Sequence, residues 1–162
     1  MITIRHLEEI SLNALPSLET IYYDGWVLRF AYGYLRRANS VQVLYPSILP
    51  LDEKISACEA HYTARGLKTT FKLTDAAPEG LQAALLERGY VEDGASTVRT
   101  LDLSYVDPQP TWTEVLFEPR LSEAWLADYC RLNHVSSTNQ VVSRTMLFAL
   151  PVTSVFTRLR RD

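Results

Sequence analysis

The amino-acid sequence predicts an α/β or α+β fold, in which helices flank a mixed β-sheet. Residues 20–45 alternate between apolar and polar types, as paired strands do, and several other segments have apolar residues at helical spacing. Strand-like and helix-like segments also follow one another along the whole chain. Of the 162 residues, 47% are hydrophobic and 22% are charged, which is typical of a globular protein with its own core.

The first part of the chain is predicted to contain the sheet and most of its covering helices. The helix that follows Pro50 is indicated by Ile55, Cys58 and Tyr62 at helical spacing, and Gly66 suits the position after its end. In order, the predicted elements are a helix at 6–15, strands at 20–31 and 36–45, a helix at 51–65, a strand at 68–73, a helix at 78–89 and one or two strands at 90–103.

The first two predicted strands form a β-hairpin with one buried face. Trp26, Leu28 and Phe30 lie on the same side of the first strand, and we expect this side to face the core because large apolar residues alternate there. The turn is placed at 31–34, where a glycine can adopt a positive φ angle. Asp24-Gly25 is interpreted as a bulge or bend within the first strand.

A change of composition at 104–110 divides the chain. Pro108 and Pro110 flank a polar residue there, which favours an extended connector. We therefore predict a first domain at 1–103, a linker at 104–111 and a second unit at 112–162. The second unit is predicted to contain a strand at 113–117, a helix at 122–133, a polar loop at 134–139, a helix at 140–149 and a strand at 153–161.

Charge and composition argue against several classes of protein. The net charge is −3 and the basic residues are mostly scattered, so we expect no nucleic-acid partner. No apolar run approaches the roughly 18 residues that a membrane span needs, so we expect no membrane partner. Cys58 and Cys130 lie far apart in apolar helical segments, which favours buried free thiols over a disulfide or a reactive site. Free thiols indicate a reducing, cytoplasmic location.

The common catalytic signatures are missing from the sequence. It has no glycine-rich phosphate loop, no nucleophile elbow, no Cys-x-x-Cys and no His-Glu-x-x-His motif. The three histidines share no motif spacing, so we expect no metal site. A cysteine–histidine nucleophile has no support from the spacing either.

The strongest chemical signal is a group of arginines beside an amide and a hydroxyl. Guanidinium groups can hold a carboxylate or phosphate through paired hydrogen bonds and can stack on aromatic rings. The candidate substrate-binding residues are Trp26, Arg29, Arg36, Arg37, Asn39 and Ser40. We expect one arginine of the adjacent pair to face an aromatic-lined groove and the other to pair with a carboxylate. In the alternative interpretation, the arginines pair with carboxylates such as Asp24 or Glu53 and only stabilise the hairpin.

The same residues carry a resemblance to a known family. The segments "DGWVLRFAYGYLRRANSV", "HYTARGL", "TTFKLT" and "PEGLQAALLERGY" resemble the amino-terminal region of two-unit bacterial GNAT acetyltransferases. The resemblance covers residues 20–103 well and residues 112–162 more loosely. It implies a GNAT-like mixed sheet flanked by helices, acetyl-CoA as the cofactor of the parent enzyme, and a small-molecule or peptide primary amine as its acceptor.

The chain departs from this family at the loop that binds the cofactor. Members have an Arg/Gln-x-x-Gly-x-Gly/Ala loop whose amides bind the coenzyme A pyrophosphate, whereas this chain has "PSILPLDEK" at the corresponding place. Two prolines remove amide donors there, and Asp52-Glu53 would repel a pyrophosphate. The resemblance therefore implies a degenerate first unit and a partial second unit, with the family's cofactor loop expected beyond residue 162.

The sequence leaves two functions open. In the first, the chain is the amino-terminal portion of an N-acetyltransferase and is inactive alone. In the alternative, it is a non-catalytic GNAT-like binding or regulatory module that does not bind the cofactor. The strand at 153–161 has its hairpin partner expected beyond residue 162, so we expect its open edge to pair with the first sheet or with a second copy in a homodimer.

Overall fold

The structure, a computed structural model, describes residues 2–105, 114–151 and 153–160. Their helices and strands follow the predicted order of a mixed α/β fold except at 90–103. The elements are α1 (Ile4–Ala14), β1 (Glu19–Tyr23), β2 (Trp26–Phe30), β3 (Val41–Val43), α2 (Leu51–Thr63), β4 (Phe71–Lys72), α3 (Leu81–Glu87), β5 (Glu114–Glu118), α4 (Glu123–Leu132), α5 (Ser137–Phe148) and β6 (Phe156–Arg160). None of the helices within the described ranges is long and apolar enough to cross a membrane.

Strands β1 to β4 form one mixed sheet in chain order. β1 pairs antiparallel with β2, β2 pairs antiparallel with β3, and β3 pairs parallel with β4. A parallel pair needs a long crossover connection, and α2 provides it here. β5 and β6 form a separate two-stranded antiparallel sheet. The mixed sheet with flanking helices confirms the predicted fold class.

The predicted turn at 31–34 is observed, since the amide of Tyr34 donates to the carbonyl of Ala31 at 2.9 Å and Gly33 has a φ angle of 77°. The bulge or bend predicted at Asp24-Gly25 is wrong, because these residues form a tight turn that divides the predicted strand at 20–31 into β1 and β2. Tyr23 pairs with Trp26, so only Asp24 and Gly25 connect β1 to β2. Asp24 has a φ angle of 40° and Gly25 one of 81°, which are the positive angles of a two-residue hairpin turn. A Cβ atom on Gly25 would lie 2.4 Å from the carbonyl oxygen of Pro46, so no larger residue fits there.

The connection between β2 and β3 is a loop rather than a tight turn. It contains a short 3₁₀ helix at Arg36–Ala38, and the return strand begins at Val41 instead of residue 36. Tyr32 and Leu35 have φ angles of 50° and 62° in this loop. Bulky side chains seldom adopt such angles, so neighbouring contacts must hold the loop in place.

The main core lies on one face of the mixed sheet. Trp26, Leu28 and Phe30 are buried, which confirms the predicted face. Helices α2 and α3 cover it with Ile55, Cys58, Tyr62, Leu81 and Leu85. Burying one large apolar side chain contributes about 1.5–3 kcal/mol, so this face supplies most of the stability of the sheet.

The opposite face of β2 is buried as well. Val27 and Arg29 on this side are 4% and 3% exposed. Helix α1 lies over them, because Arg29 donates a hydrogen bond to the carbonyl of Leu12 and Lys72 of β4 pairs with Glu8. β2 is therefore a central strand covered on both faces, where alternation alone predicts a half-buried one.

The second sheet packs on α4. The Trp125 ring meets the Phe156 ring edge-on with centroids 5.1 Å apart, and its Nε1 donates to the carbonyl of Thr157 at 3.0 Å. The strand predicted at 153–161 is observed as β6, and its partner is β5. This pairing occupies one edge of β6, and the expectation of a further hairpin partner beyond residue 162 stays a prediction.

The two units touch through α5. Met146 is 2% exposed and packs in one buried cluster with Ala31 and Ala38 of the β2–β3 loop. The predicted linker at 104–111 lies largely outside the described residues, so the domain boundaries stay predictions.

The strands predicted at 90–103 are absent from the structure, which shows irregular backbone there. Val98, Leu101 and Leu103 point into solvent with 66–74% of their surface exposed. Alternation is a local property, whereas a strand also needs a neighbouring edge, and no described strand pairs with this segment.

Alkaline pH is expected to destabilise the core. Burial raises the pKa of the Cys58 thiol from 9.0 to about 12, so the folded chain keeps the proton that the unfolded chain loses. The stability linked to Cys58 is therefore complete below pH 9 and falls as the pH rises towards about 12, by up to about 1.4 kcal/mol per pH unit. Urea unfolding across this pH range should show a steeper fall for the wild type than for Cys58→Ala. Equal slopes would contradict the expectation.

Candidate functional site

The six residues predicted to bind substrate divide into two groups. Four of them are buried at 0–7% exposure: Trp26, Arg29, Asn39 and Ser40. Arg36 and Arg37 are exposed on the β2–β3 loop. The structure therefore does not bring the six side chains together on one accessible surface.

The Arg29 guanidinium donates hydrogen bonds to three main-chain carbonyls. It donates to the carbonyl of Arg37 at 2.7 Å and to the carbonyls of Leu12 and Leu15 at the end of α1. Burial lowers the pKa of Arg29 to about 10, which still leaves it charged at neutral pH. Arg29 thus joins α1 and the β2–β3 loop to the central strand.

Asn39 holds the strained loop that precedes it. Its side chain makes four hydrogen bonds to the main chain, with the amides of Ala31 (2.8 Å) and Gly33 (2.9 Å) and the carbonyls of Tyr34 (2.7 Å) and Leu35 (2.9 Å). A side-chain amide that uses all these donors and acceptors has little capacity left for a ligand. Ser40 is likewise engaged, since its hydroxyl accepts from Gln42 Nε2 at 2.7 Å.

One of the two exposed arginines pairs with a carboxylate, as we expected, but neither lies over an aromatic ring among the described residues. Arg36 pairs with the Asp93 carboxylate at 2.6 Å and lies against Gly94. Neither Arg36 nor Arg37 contacts an aromatic ring within the described ranges. The cation over the Trp26 ring is Lys54, whose Nζ lies 4.0 Å from the ring centroid.

Removing Arg36 should have little effect on stability. Its ion pair with Asp93 is solvent-exposed on both sides, and such pairs contribute about 0.2–1 kcal/mol. We expect Arg36→Ala to lower the free energy of unfolding by less than about 1 kcal/mol, with Arg37→Ala as the matched control on the same loop. Urea titration measures both values, and a loss of several kcal/mol in Arg36→Ala would reveal a contribution that the geometry does not show.

An open cleft of ≈ 660 Å³ lies where the parallel strands β3 and β4 end. Its walls are formed by the end of β3 and the residues after it, by the start of α1, and by Ala76 and Pro78 after β4. Arg5 lies over the Tyr45 ring, 5.6 Å from the centroid, and the Tyr45 hydroxyl donates to Glu9 at 2.9 Å. Ligands of open α/β sheets bind beyond the carboxyl ends of the strands, so this cleft is a candidate ligand site.

Beside the cleft, the loop between β3 and α2 surrounds a carboxylate of the chain itself. The Asp24 carboxylate accepts from the amide of Ile48 at 3.1 Å and from the amide of Leu49 at 3.0 Å. Lys54 Nζ lies 3.1 Å from the same carboxylate. The amide of Leu49 and the other contacts hold the pKa of Asp24 below its usual value.

The Asp24–Lys54 pair was not predicted, although the sequence contains two signals for it. Asp-Gly is a preferred pair for a two-residue hairpin turn, which would have placed Asp24 at the tip. Lys54 lies four residues before the buried Cys58, on the inner side of α2. A lysine on a buried stripe indicates a buried partner of opposite charge.

No metal site is evident within the part of the chain that the structure describes. None of its groups of histidine, cysteine, aspartate and glutamate could hold a metal ion with three or more ligands.

Two comparisons match proteins that are named as acetyltransferases. A family model described as "Probable histone acetyltransferase Rv0428c C-terminal" matches residues 2–158. The curated protein "Uncharacterized N-acetyltransferase YobR" of Bacillus subtilis (strain 168) is 30% identical over 87 residues. This stretch is 54% of the chain and 34% of that relative, so the match spans about a third of the relative's length. No solved structure matches the chain significantly.

Proposed function

We propose a function for this chain from its family. The chain belongs to the acetyltransferase family of the Rv0428c C-terminal region. Our proposal is that it is the amino-terminal portion of a GNAT N-acetyltransferase. The membership rests on a match over residues 2–158, and it confirms the resemblance to GNAT acetyltransferases. The proposed reaction moves an acetyl group from acetyl-CoA to a primary amine on a small molecule or peptide. The family match is the observation that carries this proposal.

The first sheet does not fit the pyrophosphate of coenzyme A at the start of α2. Two amides of this loop, those of Ile48 and Leu49, already bond to the Asp24 carboxylate. Pro46 and Pro50 have no N–H to offer, and a second anion beside Asp24 would be repelled. We therefore propose that the first unit is a structural scaffold that does not bind the pyrophosphate of coenzyme A.

The same observation favours a second candidate function. A GNAT-like unit whose anion position is filled by its own carboxylate can serve as a non-catalytic binding or regulatory module. The cleft beside β3 and β4 would then accept a ligand other than the cofactor. For both candidates we propose a reducing compartment, the cytoplasm, and the free, buried thiols of Cys58 and Cys130 support this proposal.

A transfer assay separates the two candidates. Release of the coenzyme A thiol is followed with acetyl-CoA and a panel of primary amines, using the protein purified from its own cells and, in parallel, the 162-residue chain. We expect amine-dependent release by the former and none by the latter. If neither preparation releases the coenzyme A thiol, the result favours the binding module. Thiol release by the isolated 162-residue chain would contradict the scaffold role.

A further inference from the structure

Three hydrogen-bond donors from different parts of the loop and α2 converge on one carboxylate. They are the amides of Ile48 and Leu49 and the ammonium group of Lys54, all within 3.0–3.2 Å of the Asp24 oxygens. Two adjacent main-chain amides and a cation are the donor set that proteins use to hold carboxylates and phosphates. The set therefore has the composition of an anion site.

The cation of this set is fully buried. The Lys54 side chain has 0% exposure, and the Asp24 side chain has 15%. The other contacts of the ammonium group are the Asp24 carbonyl at 2.6 Å and the face of the Trp26 ring. A buried ammonium group needs a negative partner, so the site requires an anion at this position whether the chain or a ligand supplies it.

The anion is the Asp24 carboxylate, which lies in the hairpin turn. Asp24 occupies the first position of the two-residue turn, with the positive φ angle of 40° that glycine and asparagine also tolerate there. Gly25 brings the turn against the carbonyl of Pro46, which lies in the same loop as the two amides.

We propose that Ile48, Leu49 and Lys54 form a latent binding site for a small oxyanion, a phosphate or a carboxylate, and that Asp24 closes it as an internal ligand. An external anion binds there only when the Asp24 carboxylate is removed or displaced. The inference concerns anion binding alone and does not depend on acetyl transfer.

Chemical rescue tests this site. The variant Asp24→Gly removes the carboxylate and keeps a residue that adopts the turn conformation. Its melting temperature should fall, and inorganic phosphate should raise it by several degrees in a saturable way, compared with chloride at equal ionic strength. The wild type should gain little, because its site is filled. The double variant Asp24→Gly/Lys54→Met should lose the rescue, since the buried cation is gone.

Equal effects of phosphate on the wild type and on Asp24→Gly would overturn the proposal, and so would a rescue that survives the loss of Lys54. If Asp24→Gly does not fold in any buffer, Asp24→Asn provides the second test, since asparagine suits the turn and carries no charge. Phosphate should then shift the amide resonances of Ile48 and Leu49 in this variant. Unshifted resonances in phosphate would count as a failure, and shifts of the same size with chloride would show that no oxyanion site exists.

Discussion

Replacing Arg29 with methionine should lower the free energy of unfolding by about 3 kcal/mol or more. Three main-chain carbonyls lose a charged donor in this variant, and a hydrogen bond to a charged group contributes about 1.5–3 kcal/mol. Removing the buried charge offsets part of this loss, since burying a cation is itself costly. Urea unfolding monitored by tryptophan fluorescence measures the change.

Arg29→Lys is the matched control for this variant. Lysine keeps the charge but cannot reach three carbonyls in different directions, so we expect it to be destabilised as well, by a smaller amount. If Arg29 instead bound a substrate on an open surface, both variants would unfold like the wild type. A loss below about 1 kcal/mol in Arg29→Met would contradict the role of Arg29 as a structural clamp.

Replacing Asn39 with alanine should lower the free energy of unfolding by about 2–6 kcal/mol. The variant loses four hydrogen bonds at a net value of about 0.5–1.5 kcal/mol each. It also releases Tyr32 and Leu35 from positive φ angles that their side chains disfavour, so the loop should change conformation. Chemical denaturation gives the stability, and amide hydrogen exchange at residues 31–35 reports the loop.

Ser40→Ala is a useful comparison on the neighbouring residue. Its hydroxyl takes part in one side-chain contact, with Gln42, so we expect a loss near 1 kcal/mol and no change of exchange in the loop. If Asn39→Ala keeps the wild-type exchange pattern, the loop conformation does not depend on the Asn39 side chain.

The predictions for the sheet were accurate where the signal is strong in the local sequence. The buried face of Trp26, Leu28 and Phe30 follows from large apolar residues at every second position, and the structure buries all three. The predicted turn at 31–34 is also observed, whereas Asp24-Gly25 forms a second turn in place of the predicted bulge. Positive φ angles suit a bulge and a hairpin turn alike, and only the pairing of Tyr23 with Trp26 identifies the hairpin turn.

The site was harder to predict than the fold, for a physical reason. Arginine, asparagine and serine side chains suit both ligand binding and buried hydrogen bonding to the main chain, and sequence shows only the residue type. Whether Arg29 faces solvent depends on α1, which packs over β2 from a distant part of the sequence. The Asp24–Lys54 pair likewise joins residues that are 30 positions apart.

The same limit applies to the segment at 90–103. Its alternating residues have the composition of a strand, yet Val98 and Leu101 are 66% and 72% exposed. Strand formation depends on an edge that the local sequence does not specify. Helices α2 and α4 depend on local spacing and capping, and both agree with their predicted ranges to within a few residues.

Calorimetric titration of acetyl-CoA into the 162-residue chain tests most directly whether Asp24 closes the start of α2 to the cofactor. We expect no binding in the micromolar range, because the amides of Ile48 and Leu49 are already occupied. Asp24→Gly, titrated in parallel, shows whether removing the internal carboxylate opens the position. Micromolar binding of acetyl-CoA by the wild-type chain would contradict the closed site and the scaffold role of the first unit.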